Sequence, residues 1–516
     1  MMPARSPEDS QFAVVRDIHS PEELELLAAE LSLLASVGTA IFLHGELGSG
    51  KSTFARAFIR GLAREGTAFD IPSPTFTLMQ TYDGTRLPVV HADLYRINSP
   101  AEIDELGLDD LISNHVVLIE WPERLGPVRW PNILTIAISG RGTNRTLRIA
   151  GQGTWQRALQ RNETIKAFIA TTAWQGAART FFEGDASFRR FELLHKGDGT
   201  VVLMDMPARP DGPSLGDTRP YSAVAHLAEN IGAVVAVSTR LGEIGYSASL
   251  VHAFDISGGL AIIEDLGRNV FVHMAGRGHD MREPMKAAVE LLADMAKRDW
   301  PDTVPIGNGR THHVPPYDET AQLAETDLLP SWFWPHMRGT PAPISIHGQF
   351  AELWSEVFPL AVPKNPGWTL RDYHSPNLLW LPDRAGIRRV GLIDTQDCVL
   401  GHPAYDLVSL LQDARVDIAV ERADELFDYY CGLRSGGAGF YRSDFSTAFA
   451  VLGAQRATKI LGIFARLSKR DGKHGYLKHI PRIEGYLERN LQHPDLRRMR
   501  HWFETQLPAV FQKRTP

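Results

Sequence analysis

The hydrophobic pattern of the first part of the chain alternates between short apolar runs and amphipathic stretches. Apolar runs at 39–43 and 116–119 predict buried strands, and runs at 132–139 and 146–150 predict two closing strands. Ser20 followed by proline is a typical helix start and opens a predicted helix. Strands that alternate with helices in this order are typical of an α/β domain.

The pattern changes after a short glycine-containing linker that ends at Thr154. A helical stretch, a strand pair and an apolar strand come first, and mostly helical sequence follows. This order predicts an α+β bilobal domain with a β-rich small lobe over about 165–267 and a helical large lobe over about 268–516. We therefore predict two domains, 1–154 and 155–516.

A glycine-rich segment follows the first buried strand and precedes an amphipathic helix. It reads GELGSGKST over 45–53 and matches the G-x-x-x-x-G-K-[ST] pattern in its expected strand–loop–helix context. Its backbone N–H groups can bind phosphates, Lys51 can reach the outer phosphates, and the Ser52 hydroxyl can bind Mg²⁺. The predicted ATP site of this P-loop domain consists of Gly45, Glu46, Gly48, Ser49, Gly50, Lys51, Ser52 and Thr53.

Three further blocks narrow the interpretation of the first domain. They read SPTFTL over 73–78, HADLYR over 91–96 and VVLIEWPER over 116–124, where an apolar strand ends in a carboxylate. With the P-loop, these blocks resemble TsaE, the bacterial ATPase family of the tRNA N6-threonylcarbamoyladenosine (position 37) system. The resemblance covers about residues 10–150. It implies an ATPase that acts with TsaB- and TsaD-like subunits and meets tRNA only through them.

The same resemblance implies roles for four residues around the nucleotide. Thr75 would lie in a switch-like segment near the γ-phosphate, and Glu120 would join Ser52 around Mg²⁺. Asp93 would lie close to this metal as a catalytic residue, and Trp121 would lie beside the nucleotide. From the residues alone, Asp93 could equally be an ordinary strand-end residue, and Trp121 could be a packing aromatic.

The most informative pattern of the second domain is a pair of short apolar runs on either side of a polar turn. The runs at 378–381 and 390–393 predict a β-hairpin that brings Asn377 and Asp394 together at its open end, with Asp372 just before them. Such a set can hold Mg²⁺ on nucleotide phosphates while one carboxylate takes a proton from an attacking hydroxyl. We predict Asp372 as the catalytic base and Asn377 and Asp394 as metal ligands. The alternative is that the two aspartates only cap turns.

This stretch resembles the catalytic and metal loops of aminoglycoside-phosphotransferase-like kinases. The matching segments are RDYHSPNLL over 371–379, IDTQD over 393–397 and GHPAYDL over 401–407. Within that fold, the segments that resemble the amino-sugar kinase family AmgK are 184–191, 202–207, 263–267 and 371–379. The resemblance implies an ATP-dependent kinase that phosphorylates the anomeric hydroxyl of N-acetylmuramate and N-acetylglucosamine in peptidoglycan recycling.

Other nucleotide contacts of the kinase-like domain are expected in its small lobe. The stretch IIEDLG over 262–267 resembles the hinge between kinase lobes, whose backbone binds adenine, so Glu264 and Leu266 are predicted contacts. Without that context, Glu264 could be a solvated strand end. The segment 183–187 stands where a kinase carries its phosphate-covering loop, although it holds a single glycine.

The lysine that usually grips the nucleotide phosphates in kinases is missing. The strand that should carry it reads VVLMDMP over 201–207 and contains no basic residue. We therefore predict that Arg189 or Arg190 on the preceding strand takes this role, with a preference for Arg190, because a guanidinium offers planar bidentate donors. The alternative is that both arginines lie on the surface and Mg²⁺ with backbone donors suffices.

Composition adds constraints on location and partners. The 516 residues carry a net charge of −7, and the isoelectric point near 6.3 predicts no broad nucleic-acid surface. Two cysteines, Cys398 and Cys431, predict a reducing compartment rather than a disulfide framework. The polar start predicts no signal peptide, and no apolar run looks long enough to span a bilayer. We expect a cytoplasmic protein without a membrane partner.

Two alternatives to a bifunctional enzyme remain open from the sequence. The first domain could be a nucleotide switch that regulates the kinase. The second domain could be an aminoglycoside- or choline-type kinase, whose cationic substrates need an acidic cleft. The acidic residues that the large lobe offers for such a cleft are Glu319, Glu325 and Asp327, which form no clear cluster in the sequence.

Overall fold

The computed structural model describes residues 12–64, 70–74, 77–97, 100–141, 143–183, 189–208, 214–215, 219–307, 309–437 and 439–511. The chain divides into two compact units, Met1–Met204 and Asp205–Pro516. The division falls within the strand Gly199–Asp205, beyond the predicted boundary at residue 154. The first strands of the predicted small lobe are therefore grouped with the ATPase-like region.

The first unit is an α/β domain followed by a helix and three further strands. Its strands are β1 Phe12–Ile18, β2 Thr39–His44, β3 Met79–Tyr82, β4 Val89–Asp93, β5 Val116–Glu120, β6 Ile133–Arg141, β7 Asn144–Gly151, β8 Ala178–Phe182, β9 Arg190–Lys196 and β10 Gly199–Asp205. Its helices are α1 Pro21–Ser32, α2 Lys51–Gly61, α3 Pro100–Asp104, α4 Leu108–Leu111 and α5 Thr154–Ala170, with a 3₁₀ turn at Pro122–Arg124.

One mixed sheet organises the first domain. Within the described residues its strand order is β1-β7-β6-β2-β5-β4-β3, and β2 lies parallel to both β5 and β6. Because parallel strands end at the same edge, the P-loop after β2 and the carboxylate that ends β5 lie together. The predicted helix start is confirmed, since the Ser20 side chain accepts the Glu23 N–H at 3.2 Å.

The second unit contains short sheets and many helices. Its strands are β11 Ser214–Leu215, β12 Arg219–Pro220, β13 Ser247–Ala248, β14 Val251–Asp255, β15 Leu260–Glu264, β16 Thr303–Gly307, β17 Arg310–His313, β18 Gly367–Thr369, β19 Leu378–Trp380, β20 Val390–Leu392 and β21 Val399–Gly401. Its helices are α6 Tyr221–Val224, α7 Ile231–Glu243, α8 Phe271–Gly276, α9 Arg282–Met295, α10 Glu319–Thr326, α11 Trp334–Arg338, α12 Ile344–Val357, α13 Ala404–Leu411, α14 Val420–Arg434, α15 Arg442–Asp471, α16 Ile480–Asn490 and α17 Arg497–Gln506. A π turn spans Leu329–Phe333, and 3₁₀ turns span Phe358–Ala361, Ser375–Asn377, Gly386–Arg389, His474–His479, Pro494–Leu496 and Pro508–Phe511.

One apolar core holds the large lobe together. Its largest fully buried side chains include Trp354, Tyr373 and Tyr405. Because these aromatic side chains are fully buried, they pack in the core and expose no ring face to a ligand. Within the described residues, α15 passes a length-and-hydropathy test for a membrane span, but 83% of its most apolar window is buried inside the protein, as in a core helix.

Candidate active sites

The P-loop has the backbone shape that its glycines predict. Gly45 and Gly50 have φ angles of 148° and 110°, which residues with a Cβ rarely adopt. A Cβ on Gly45 would lie 2.6 Å from both the Ile138 carbonyl oxygen and Ser49 Oγ. The loop therefore depends on glycine, and it leads into α2 with the N-terminus of that helix at the loop.

Lys51 lies against the P-loop and the aromatic residue that follows β5. Its Nζ donates to the carbonyl oxygens of Gly45 at 2.7 Å and Glu46 at 2.9 Å, and lies 3.7 Å from the centre of a Trp121 ring. Burial lowers the pKa of Lys51, although the charge of Glu120 opposes the shift. The structure thus places Trp121 against Lys51, and the position of Trp121 beside the nucleotide remains a prediction.

The predicted metal ligands of the first domain meet at the ends of β2 and β5. Ser52 Oγ donates to Glu120 Oε2 at 2.9 Å, and Glu120 is 1% exposed. Asp93 lies opposite Glu120 in the register between β4 and β5, and its Oδ1 accepts the Tyr95 N–H at 3.0 Å. A hydroxyl and a carboxylate are hard oxygen donors that fit Mg²⁺, and ATP phosphates and water can complete its shell.

One buried histidine beside this pair was missed by the sequence analysis. His91 Nε2 lies 3.0 Å from Glu120 Oε1, and the His91 side chain is fully buried. Its Nδ1 has no hydrogen-bond partner among the residues that the structure describes. The available signal was the strand period, because His91 and Asp93 are two residues apart and therefore share a face of β4.

His91→Leu is expected to weaken Mg²⁺-dependent nucleotide binding about 10-fold, because an outer hydrogen bond to a metal-binding carboxylate would be lost. His91→Gln can place an N–H close to the position of Nε2 and should retain most of the affinity. Titration of a fluorescent ADP analogue with and without Mg²⁺ measures this effect. Equal affinities for the two variants in Mg²⁺ would contradict the positioning role of His91.

Two predicted segments lie outside the described residues. Thr75, the proposed switch residue, is one of them. Residues 184–188 of the predicted phosphate-covering loop are the other. The predictions for these segments remain predictions.

The kinase-type residues meet at the open end of the predicted hairpin, whose strand pairing is confirmed. Leu378 of β19 pairs with Leu392 of β20, and the Ile393 N–H donates to the Asn377 carbonyl oxygen at 3.1 Å. Asn377 Nδ2 donates to the Asp372 carbonyl oxygen at 3.0 Å. Asp394 follows β20 with a left-handed φ of 60°, which is costly for a non-glycine residue and recurs at functional sites.

A buried aspartate accepts hydrogen bonds from the backbone of the predicted catalytic loop. Asp406 of α13 accepts the backbone N–H groups of Leu370 at 2.7 Å and Arg371 at 2.9 Å. Asp406 belongs to the segment 401–407 that resembles the kinases, but no role was predicted for it. These contacts fix the backbone immediately before Asp372.

Arg371 is a second anchor of the catalytic loop. It has a left-handed φ of 65°, it is 1% exposed, and its guanidinium pairs with the buried carboxylate of Glu325. Arg371 Nη1 also donates to the Ala225 carbonyl oxygen at 2.7 Å. Lys459 Nζ lies 2.7 Å from Glu325, so this carboxylate is shared by two cations. Such a buried cluster rigidifies the loop because each charge has a partner.

Opposing effects set the charge of Asp372. Burial acts to raise its pKa, but electrostatic interactions with neighbouring groups, first His374 and then Lys459, outweigh burial, and the pKa lies below its ordinary value. Asp372 is therefore an anion at neutral pH, as a proton acceptor must be. Among the described residues no group of three or more His, Cys, Asp or Glu side chains could hold a metal ion. The assignment of Asn377 and Asp394 as metal ligands remains a prediction.

The predicted hinge lies next to the catalytic hairpin. Glu264 ends β15 and accepts a hydrogen bond from Arg384 Nη2 at 2.6 Å, in the turn of that hairpin. Leu266 is 8% exposed, and a Cβ on Gly391 of β20 would lie 3.3 Å from its side chain. Glu264 is thus a paired strand end, and the adenine contact of both residues remains a prediction.

The two candidate phosphate-gripping arginines occupy opposite faces of the strand. Arg190 is exposed at the start of β9 and shares a face with Glu192, whereas Arg189 shares a face with Phe191. The guanidinium of Arg189 lies 5.9 Å from the centre of the Phe191 ring. The positive charge of Arg190, together with burial, lowers the pKa of Arg86. Which of the two arginines contacts the phosphates, and the preference for Arg190, remain predictions.

Comparison with known proteins connects both sites to families. The family model for "Threonylcarbamoyl adenosine biosynthesis protein TsaE" matches residues 18–147, and the model for "Phosphotransferase enzyme family" matches residues 179–440. The TsaE protein of Rickettsia conorii is 35% identical over 130 residues, which cover 25% of this chain and 73% of that protein.

The second domain has curated relatives of its own. An N-acetylmuramate/N-acetylglucosamine kinase of Caulobacter vibrioides is 33% identical over 359 residues, which cover 68% of this chain and 98% of that protein. Among solved structures, the ADP-bound aminoglycoside phosphotransferase APH(2'')-Ib aligns at a TM-score of 0.39 and 12% identity, covering 63% of this chain and 96% of that one. The resemblances seen in the sequence are confirmed. The chain belongs to the TsaE family through its first domain and, through its second domain, to the phosphotransferase enzyme family, as a homologue of the N-acetylmuramate/N-acetylglucosamine kinases.

Proposed function

We propose that the first domain hydrolyses ATP for tRNA threonylcarbamoyladenosine synthesis, together with TsaB- and TsaD-like subunits. The Ser52–Glu120 pair at the end of a P-loop supports this, in a domain of the TsaE family. Bound Mg²⁺ would neutralise charge on the phosphates, and Ser52 and Glu120 are the residues that would hold it. Lys51, at the P-loop, is the residue that would bind the outer phosphates. A role in tRNA modification fits a cytoplasmic location.

We propose that the second domain transfers the γ-phosphoryl group of ATP to the anomeric hydroxyl of N-acetylmuramate or N-acetylglucosamine. The observation that carries the proposal is the sequence similarity to a kinase named for these two sugars. It is 33% identical to this chain, and the matched region covers 98% of its length. Asp372 takes the proton of the attacking hydroxyl on its carboxylate, and the hydroxyl oxygen bonds to the γ-phosphorus as ADP leaves. Asn377 and Asp394 would hold Mg²⁺, which would supply charge neutralisation at the phosphates.

The buried cluster around Glu325 disfavours a cationic substrate. Glu325 is fully buried and paired with Arg371 and Lys459, so its charge is already neutralised. Asp327, another of the acidic residues considered for a cationic pocket, lies 2.6 Å from His347 Nδ1 and accepts a hydrogen bond from Ser331. These carboxylates therefore do not form an open acidic cleft of the kind that an aminoglycoside or choline needs.

Transfer of labelled phosphate from ATP to a panel of acceptors tests the substrate. N-acetylmuramate and N-acetylglucosamine should be labelled, because both offer a free anomeric hydroxyl beside an acetamido group. The 1-O-methyl glycoside of N-acetylglucosamine is the matched control, and it should remain unlabelled. Label on kanamycin or choline instead, or equal label on the methyl glycoside, would contradict the proposal.

A further inference from the structure

Helix α15 carries two cationic side chains on one face, and the first of them contacts the anchor of the catalytic loop. Lys459 Nζ lies 2.7 Å from Glu325, the carboxylate that also pairs with Arg371, the residue before Asp372. Arg466 follows Lys459 by seven residues, so it lies two turns further along the same face of α15. The rise of an α-helix separates the two by about 10 Å. Arg466 is therefore within the reach of a small molecule that is bound at Asp372.

Within the described part of the chain, Arg466 forms no ion pair with a carboxylate, in contrast to the neighbouring cations Arg371, Lys459 and Arg470. Arg466 is partly buried, and its Nε is buried without a hydrogen-bond partner among the described residues. Arg470, one turn later on α15, donates to both carboxylate oxygens of Asp471 at 2.6 and 2.9 Å. The charge of Asp471 also acts on Arg466, but this carboxylate is already paired.

An aromatic ring connects Arg466 to the catalytic side of the domain. The Arg466 guanidinium lies 5.2 Å from the centre of the Tyr221 ring, at the start of α6. Burial, followed by the charge of Glu325, raises the pKa of Tyr221 to about 12, and Lys459 acts on the same group. Tyr221 is therefore a neutral phenol at neutral pH and lies within electrostatic range of the carboxylate that anchors the catalytic loop.

The surroundings of Arg466 leave its charge uncompensated. Burial is the largest effect on its guanidinium and lowers its pKa, so the acidic neighbours do not offset the loss of water. A partly desolvated cation without an acidic partner is costly, and a bound anion would remove that cost. A guanidinium is suited to a carboxylate in particular, because it offers two parallel N–H donors.

The two sugars of the proposed function differ in charge at one position. N-acetylmuramate carries a 3-O-lactyl group that ends in a carboxylate, whereas N-acetylglucosamine has a free hydroxyl there. The anomeric hydroxyl, which must reach Asp372, belongs to the opposite part of the sugar ring. An N-acetylmuramate molecule whose anomeric hydroxyl lies at Asp372 therefore extends its negative charge away from the reacting atoms.

We propose that Arg466 binds the lactyl carboxylate of N-acetylmuramate and thereby determines how the kinase domain distinguishes its two sugars. The inference rests on the proposed kinase function and adds to it the residue that recognises one substrate. Arg466 contacts the sugar away from the anomeric hydroxyl, so it contributes to binding and takes no part in proton or phosphoryl transfer. N-acetylglucosamine has no group with which Arg466 could pair.

The first test uses the wild-type chain and two acceptors that differ in the charge of one group. These are N-acetylmuramate and its carboxamide, in which an uncharged amide replaces the lactyl carboxylate. The KM of the carboxamide should exceed that of the acid by about 10-fold to 100-fold, as expected for a lost hydrogen-bonded charge pair. Its kcat should be nearly unchanged, because the anomeric hydroxyl is the same in both. Calorimetric titration of the two sugars without ATP should show the same difference in affinity.

The second test repeats these measurements in Arg466→Met, which keeps the length of the side chain and removes its charge. In this variant the acid and the carboxamide should have equal KM values, and the KM for N-acetylglucosamine should stay near the wild-type value. Arg470→Met is the matched control, because it removes an exposed cation one turn away on the same helix. It should preserve the wild-type difference between acid and carboxamide.

The outcomes separate this inference from the proposed function. Phosphorylation of both sugars by the wild-type chain, with equal KM values for acid and carboxamide, would overturn the inference alone. An undiminished difference in Arg466→Met would overturn it as well, and so would an equal rise in KM for all three acceptors, which indicates a structural role. The first test requires no substitution, so it stays decisive if Arg466→Met does not fold. A wild-type chain that phosphorylates neither sugar would overturn the proposed function and this inference with it.

Discussion

Lys51→Ala is expected to reduce ATP hydrolysis by the first domain at least about 100-fold, as removal of a preorganised donor to a developing charge does elsewhere. Lys51 is buried at the P-loop and donates to the carbonyl oxygens of Gly45 and Glu46, so its ammonium lies within the loop predicted to wrap the phosphates. Sugar phosphorylation should stay near the wild-type rate, because the predicted kinase residues Asp372, Asn377 and Asp394 belong to the other compact unit. Phosphate release without acceptor, with TsaB- and TsaD-like subunits added, measures the first activity, and sugar phosphate formation measures the second.

Leu47→Ala is the matched control for this experiment. Leu47 belongs to the same loop and is 75% exposed, so its removal tests whether any change in the loop disturbs hydrolysis. Its ATP hydrolysis should remain close to that of the wild type. Loss of both activities in Lys51→Ala would contradict the assignment of two independent sites.

Asp372→Asn is expected to reduce the kcat of sugar phosphorylation between about 10²-fold and 10⁴-fold, the usual contribution of a positioned general base. Asparagine keeps the shape of the side chain but cannot accept the proton. The described contacts of the Asp372 backbone, from its N–H to Leu370 and from Asn377 to its carbonyl oxygen, do not involve the carboxylate and should persist. Nucleotide affinity should therefore survive, and steady-state kinetics together with ATP titration separate the two effects.

Asp383→Asn provides the control for Asp372→Asn. Asp383 is exposed in the turn of the same hairpin, and its amide variant should behave like the wild type. Because the pKa of Asp372 lies below its ordinary value, its carboxylate stays ionised across neutral pH, and the wild-type rate should decline only as the pH falls toward that pKa. Wild-type turnover in Asp372→Asn would show that this residue is not the base.

Prediction from the sequence was most effective where the chemistry is local in the chain. The P-loop is built from contiguous residues whose glycines permit positive φ angles, and the catalytic hairpin is set by two apolar runs around a polar turn. Both features follow from backbone sterics and short-range pairing. Local pattern is therefore enough to assign Lys51 and Ser52 to one candidate site and Asp372, Asn377 and Asp394 to the other.

Features that depend on distant pairs were not accessible in this way. Arg371 and Glu325 are 46 residues apart, and His91 and Glu120 are 29 residues apart, yet each pair is buried and in contact. The alternation of a strand predicts that Arg189 and Arg190 face opposite sides, but it does not say which side faces the ATPase domain. The contacts of Arg179 on β8 decide it. Arg179 donates both to Glu192, which shares a face of β9 with Arg190, and to Asn162 of α5.

The sequence by itself determined the two families, the order of the two domains and the candidate residues of both phosphate-handling sites, because those depend on short motifs and on the period of apolar residues. Only the tertiary structure decided which buried groups support those sites, that Glu325 is neutralised, and that β8–β9 rests on α1. The physical reason is that a buried polar group must find its partners in space. Residues at many positions along the chain could form the same hydrogen bonds. The sequence therefore does not show which of them the fold brings into contact.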